Sequence, residues 1–434
     1  MSVNVIGAGL AGCEAAWQIS RQGVHVDLYD MKPSKFSPAH KSKNFAELVC
    51  SNSFKASRLD SAAGLLKEEL RRMGSCLMEC ADKCTVPAGG ALAVDREKFS
   101  QLVTQRICEN NLISVHEKEI VSVPEDRVTV VATGPLTSET FAICVKNLCG
   151  NMLSFYDAAA PIVTVESIDM ENAFAASRYG KGDGSDYLNC PLNKEEYELF
   201  YSELKNAKRA KLHDFDEVYE GCMPIEVMAM RGKDTMRFGP MKPVGLRDPR
   251  TGERPWAVLQ LRKENTEGSM YNLVGCQTNL TFAEQKRVFG IIPALKNADF
   301  IRYGVMHRNT FLNSPKLLDG SYRMRLNKNL FFAGQITGVE GYMESVSSGL
   351  VAGINAARVY NGEETIKFPA ETMIGALSEH VCASVSDDFQ PMGANFGIIP
   401  VLNPHIKDKR ERYMAFSIRS LDRLQEFKLQ YSLT

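Results

Sequence analysis

No CxxC pair occurs among the twelve cysteines of this 434-residue chain. That absence argues against a structural zinc site and against a vicinal redox pair, and a disulfide framework is not expected at this length. Cys76, Cys80 and Cys84 fall four apart; they read as small apolar side chains on one stripe of a helix, facing a core. No run reaches the ~18 uninterrupted apolar residues of a membrane span. The first residues carry no basic leader, and the apolar run from Val3 is interrupted by Asn4 and passes into glycines. No signal peptide is expected, and cytoplasm is the default location. A charge excess is missing too. Lys and Arg number 51 against 52 for Asp and Glu, so a nucleic-acid partner would need a local basic patch rather than a global field.

What is present supports a large fold. Hydrophobic residues make up 44%, enough for a core without staples, and the length suggests two or three domains. Val3 to Ile6 reads as a strand. Gly7-Ala8-Gly9-Leu10-Ala11-Gly12 follows, then a helix from about Ala11 to Ser20. Gly23 stands where a left-handed C-terminal cap is wanted. Val24, Val26 and Leu28 alternate with polar residues and end at Asp30, as in a strand. A GxGxxG sequence alone is a weak signal. Between two strands, with an acid at the end of the second, it is the fingerprint of a dinucleotide-binding unit. Gly7 serves the tight turn, Gly9 the approach of a pyrophosphate and Gly12 the packing of helix on strand. Free N–H groups at the helix start would meet the phosphates, and Asp30 the ribose hydroxyls.

Further along, helices are expected near 61–73 and 99–109, and residues 86–94, with Pro87, Gly89 and Gly90, read as a loop or turn region. Arg127 to Ala132 is a buried-type strand leading to Thr133-Gly134. From about 156 the texture changes to short strands, a charged helix at 194–210 and Pro/Gly turns. At Asn329 the first pattern returns. An apolar strand, Leu330 to Ala333, delivers Gly334, Gln335, Gly338 and Gly341 to a helix of small residues at about 345–360, and a charged helix covers 405–427. These features predict an α/β protein with a Rossmann-like FAD-binding domain of the glutathione-reductase type (1–155 and 325–434) and an inserted α/β domain (156–324). Three cofactor-facing elements in this order favour resident FAD over NAD.

The segments FAELVCSNSFK (45–55), VPAGGALAVDR (86–96), EGCMPIEVMA (220–229), FGPMKPVGL (238–246), RYGVMHRNTF (302–311) and FFAGQITGVEGYMESVSSGLVAG (331–353) resemble the folate- and FAD-dependent tRNA uracil-5-methyltransferases of bacteria. The match runs over essentially the whole chain. Departures are Asp30 where the family usually has Glu, Cys276 for Phe and Asn279 for His. The resemblance implies methylation of uridine carbon 5 in tRNA, at T-loop position 54, with ribosomal RNA as the alternative target. It implies 5,10-methylenetetrahydrofolate as carbon donor, reduced FAD as reductant and NAD(P)H to regenerate it. Neither DNA nor a membrane is an expected partner. Uracil carbon 5 becomes nucleophilic once a thiolate adds to carbon 6. By resemblance Cys222 makes that attack and Cys50 removes the carbon 5 proton, the order of the two roles being open. Lys55, Arg58 and Arg231 are the cations near these thiols in sequence. His307 and Arg308 are candidates for the folate glutamate, since arginine binds carboxylates bidentately. Lys205, Lys208, Arg209 and Lys211, and Lys407, Lys409, Arg410 and Arg412, are candidate phosphate contacts. Competing readings are an NAD(P)H-linked flavin oxidoreductase without RNA and a non-catalytic FAD-binding module.

Overall fold

Residues 2–150, 153–210, 223–383, 389–403 and 406–433 are described by the computed structural model. Val3–Ile6 is buried at all four positions, the pattern of a parallel strand covered on both faces. It lies at the centre of a five-stranded sheet. The strand order is Leu330–Phe332, Thr129–Val131, Val3–Ile6, Val26–Asp30 and Ile113–Glu117, and every neighbouring pair is parallel. The α/β, Rossmann-like architecture expected from the glycine turn is therefore present. Helix Leu10–Arg21 follows the first strand, and helix Tyr342–Tyr360 follows the last.

These two helices pack unusually closely. A Cβ on Gly349 would lie 2.2 Å from the Ala11 carbonyl oxygen, and one on Gly353 would lie 2.6 Å from that of Ala15. Gly349 and Gly353 of the returning helix thus admit the backbone of the first helix. That helix also begins at Tyr342, three residues earlier than its sequence pattern suggested.

A second sheet of six strands runs Phe174–Ala175, Tyr187–Leu192, Ala257–Lys263, Met270–Leu273, Ile162–Thr164, Phe300–Arg302, antiparallel throughout. It carries its own hydrophobic core, formed by residues from Val163 to Ala298. The first core draws on residues from Val3 to Cys149 and again from Phe311 onward. Leu153–Ala158 and Met306–Phe311 pair antiparallel where the chain passes between the two.

The segment 86–94 holds the expected turn at 87–90, but strands flank it. Ala91–Val94 is the central strand of a three-stranded sheet with Ser53–Ala56 and Thr85–Val86. Cys76 and Cys80 are buried on helix Cys76–Lys83, and Cys84, also buried, is its C-cap.

Candidate functional site

A cleft enclosing about 1170 Å³, its open mouth included, lies at the C-terminal ends of the parallel strands, where open α/β sheets bind ligands. Gly7, Gly9, Leu10 and Ala11 line it, with Asp30, Gly134, Gly334, Gln335, Tyr342 and Ser345. Gly7 has φ +103°, and its Cβ would stand 2.5 Å from the Ala132 carbonyl oxygen. The Cβ of Gly12 would fall 1.7 Å from the Gly7 carbonyl oxygen, so this residue permits the helix to sit on the turn. Around Gly9 there is open space within 4 Å. Helix Leu10–Arg21 has Gly9 as N-cap and no side-chain cap, leaving its first N–H groups for an anion. Asp30 is oriented from two sides: its Oδ2 accepts from Ala8 N at 2.8 Å and its Oδ1 from Lys32 N at 2.8 Å. Each oxygen keeps a lone pair for a hydroxyl donor.

Two predicted cofactor glycines do not line the cleft. A Cβ on Gly338 would meet the Phe389 ring at 2.6 Å, and one on Gly341 would meet the Glu344 carboxylate at 2.1 Å. Both have positive φ and shape the turn that starts the returning helix. Ala8 and Gly12 lie beneath the lining.

Cys50 adjoins the cleft through two lining residues, its neighbour Val49 and Tyr342. Its Sγ is 3.0 Å from the Tyr342 hydroxyl. That hydroxyl also accepts the N–H groups of Cys50, at 3.0 Å, and Ser51, at 3.2 Å. With both lone pairs taken, its hydrogen is left to point at the sulfur. Burial, and then the nearby Cys50 sulfur, push the Tyr342 phenol well above its ordinary pKa, so it stays a donor. A donor aimed at sulfur suits a thiolate.

The loop bearing Cys50 is held by three arginines that sequence reasoning did not single out. Arg96 Nη1 donates to the Leu48 carbonyl at 2.7 Å and Nε to Glu264 at 2.6 Å. Arg302 donates to the Val49 carbonyl. Arg262 donates to Asn52 Oδ1 at 2.9 Å and to Ser51 Oγ at 3.0 Å. Burial opposes the Arg96 charge, but Glu264 outweighs it and holds the guanidinium above its usual pKa, with Cys50 adding to the effect. Arg96 is therefore a cation that acts on this thiol. Lys55 instead pairs with Glu344 at 2.7 Å, and Arg58 with Asp60 at 2.9 Å. Arg96, Arg302 and Tyr342 all fall within the motifs quoted above, but their partners are too distant in sequence for spacing to pair them.

His40 and Ser37 also line the cleft, with His40 Nδ1 2.6 Å from Ser37 Oγ. Burial, then the Lys32 charge, lowers its pKa, so the ring is neutral near pH 7. Cys222 and Lys211 lie outside the described residues. His307 and Arg308 sit on strand Met306–Phe311, in register with Asp157 and Tyr156. Arg209 donates to Met230 Sδ at 3.0 Å. Arg410 is 3.4 Å from Asp60, and Arg412 caps the Ile406 carbonyl at 3.0 Å.

The model of the glucose inhibited division protein A family matches residues 2–364. The methylenetetrahydrofolate–tRNA-(uracil-5-)-methyltransferase TrmFO of Acetivibrio thermocellus is 58% identical over 433 residues, 99% of each chain. That of Desulfitobacterium hafniense is 58% identical over 98% of each. Among solved structures, Aquifex aeolicus GidA in its form I crystal superimposes with a TM-score of 0.72 at 17% identity, covering all of this chain and 76% of that one; this likeness speaks for the fold alone. With full-length identity at this level, the chain belongs to the family of methylenetetrahydrofolate–tRNA-(uracil-5-)-methyltransferases within the wider glucose inhibited division protein A group.

Proposed function

We propose that this chain methylates carbon 5 of a uridine in tRNA, at T-loop position 54, with 5,10-methylenetetrahydrofolate as carbon donor, reduced FAD as electron donor and NAD(P)H as its regenerant. The observation that carries this reading is the Cys50 sulfur, 3.0 Å from a tyrosine hydroxyl whose residue lines a dinucleotide-type cleft. The residues present fit FAD. The glycine turn and uncapped helix start suit a pyrophosphate, Asp30 suits ribose hydroxyls, and Gly134, Gly334, Gln335 and the start of helix Tyr342–Tyr360 remain for the ring end. When bound, FAD supplies the two electrons that complete the methyl group.

The thiols do the rest. Cys222 adds to carbon 6 of the uracil, and the electron pair of the 5,6 double bond moves toward the carbon 4 carbonyl, making carbon 5 nucleophilic. Once carbon 5 holds the new carbon, Cys50 takes the carbon 5 proton as tetrahydrofolate leaves that carbon. When the two electrons have completed the methyl group, the sulfur–carbon 6 bond breaks, restoring the 5,6 double bond and the Cys222 thiolate. Tyr342 orients the Cys50 sulfur, and the three arginines fix the loop beneath it. His307 and Arg308 are assigned to the folate glutamate. The two separate hydrophobic cores support a division into 1–155 with 325–434 for the cofactor, and 156–324 for the substrate side. Among the described residues no helix is long and apolar enough to cross a membrane.

The test incubates purified protein with methylenetetrahydrofolate, NADH or NADPH, and unmodified tRNA or ribosomal RNA, and measures 5-methyluridine. Product in tRNA at position 54 is expected. Flavin turnover without RNA product would overturn the reading in favour of a simple oxidoreductase. Roles are separated with RNA carrying 5-fluorouridine: Cys222→Ala is expected to form no covalent adduct, and an undiminished adduct would reassign the nucleophile.

A further inference from the structure

The second sheet carries a stack of aromatic rings that no step above uses. Phe282, the first residue of helix Phe282–Phe289, lies over Tyr303 with centroids 4.6 Å apart and planes 14° apart. Tyr303 lies over Phe300 at 5.3 Å and 6°. Phe300 in turn meets the buried ring of Phe289 at 6.4 Å. The column thus rises from the core to the surface, where Phe282 is 54% exposed. A lone exposed phenylalanine needs no explanation. Near-parallel rings ending in an open one have the geometry on which a nucleobase stacks.

Charge around the open ring is arranged for an anion. Lys208 is placed beside it, because its carbonyl accepts the N–H of Thr281 at 3.1 Å. Lys286 stands one helical turn from Phe282, on the same face. Both lysines are exposed, and among the described residues neither has an ion pair. The carboxylates of Glu203 and Glu284 lie against Arg287, the latter at 2.7 Å, and Glu284 also feels the Lys208 charge, so Lys208, Lys286 and Arg287 outnumber the two glutamates by one positive charge. Helix Phe282–Phe289 has no side-chain N-cap. The column is also tied to the thiol site: Phe300 and Arg302 share one short strand, and Arg302 holds the carbonyl of Val49, next to Cys50.

We propose that Phe282 is a stacking platform for an unstacked base of the RNA substrate, with Lys208 and Lys286 taking the flanking phosphates. The proposal rests on the reading of RNA as substrate. Stacking accepts any base, so the platform sets the position of the RNA strand over the site rather than the identity of the target.

The probe is an unmodified T-arm hairpin with 2-aminopurine placed at each unpaired position in turn. On the wild-type protein one position is expected to be quenched. Phe282→Ala abolishes that quench and raises KM for tRNA about tenfold, with kcat within about twofold. Phe282→Trp retains both, which separates stacking from folding, and bound flavin absorbance stays constant throughout. Lys208→Gln and Lys286→Gln each lower the slope of log affinity against log salt by about one. Unchanged quench and KM in Phe282→Ala would overturn the proposal. So would a fall in sedimentation coefficient to that of a smaller assembly in Phe282→Ala at unchanged RNA affinity, which would make the ring an interface between copies. If the wild type binds the hairpin and quenches but yields no 5-methyluridine, the proposed reaction fails while the platform stands.

Discussion

The contact between Cys50 and Tyr342 shows how much chemistry one hydroxyl can direct. Two backbone donors occupy its lone pairs, so its proton has the sulfur as its acceptor. Tyr342→Phe removes that donor together with the oxygen that accepts two N–H groups. The expected result is a severalfold slower alkylation of Cys50 by iodoacetamide at neutral pH, followed by mass spectrometry, with flavin retained. An unchanged rate would show that the hydroxyl does not poise the thiol. Gly9 offers a cleaner residue-level test of the cofactor cleft. A methyl there meets nothing within 4 Å, so Gly9→Ala is expected to keep the melting temperature of the flavin-free protein yet release FAD more readily, read as flavin lost on gel filtration. The glycines were legible in the sequence because a tight turn and a close approach demand glycine locally. Tyr342 was not: it meets Cys50 across 292 positions, and no spacing rule reaches that far. Lys55 and Arg58 suggested themselves by adjacency, yet a nearby acid claims each of them.

At the scale of elements, strands and helices with a strong local pattern appear where the sequence places them. The sheet of Ser53–Ala56, Ala91–Val94 and Thr85–Val86 escaped notice because its strands are four residues or fewer and Ser53 pairs with Ala93. Such segments are set by their partners rather than by periodicity. The same holds for Glu69, on helix Ala62–Arg72. Its carboxylate accepts the N–H groups of Met373 at 2.7 Å and Ile374 at 2.8 Å, plus the Ser420 hydroxyl, and so joins three helices. Burial pushes its pKa up to about 7 although these three donors pull it down. The folded carboxyl therefore holds its proton to higher pH than the unfolded one, near 4.5. Its contribution to stability is complete below about pH 4.5 and is lost as the pH rises through about 7. Relative to Glu69→Gln, the wild type should lose up to ~3 kcal/mol of stability across that window, measured by denaturant unfolding at each pH. Parallel profiles for the two proteins would show that the carboxyl is ionised throughout.

At the scale of the whole molecule, the thiol loop is where the two cores are joined. Asn52 is fully buried. Its Nδ2 donates to the Val94 carbonyl at 3.0 Å on one side and to the Lys263 carbonyl at 2.9 Å on the other, while its Oδ1 accepts from Arg262. The Arg96–Glu264 pair bridges the same seam at 2.6 Å. Under the proposed function one unit presents RNA to a cofactor held by the other, and a seam passing through residues 48–52 would make that alignment and the placement of Cys50 one problem. Arg262→Met keeps the length of the side chain but removes both hydrogen bonds, leaving Asn52 Oδ1 buried without a donor at a cost of ~1–3 kcal/mol. If the seam positions the thiol, hydrogen exchange in a peptide spanning residues 48–56 should accelerate while exchange in helix Leu10–Arg21 stays as in the wild type. Methylation should fall through kcat with KM for tRNA little changed, because the RNA-facing surface is untouched. Faster exchange spread evenly over both cores would mean instead that Arg262 serves general stability, and the loop would lose its special status.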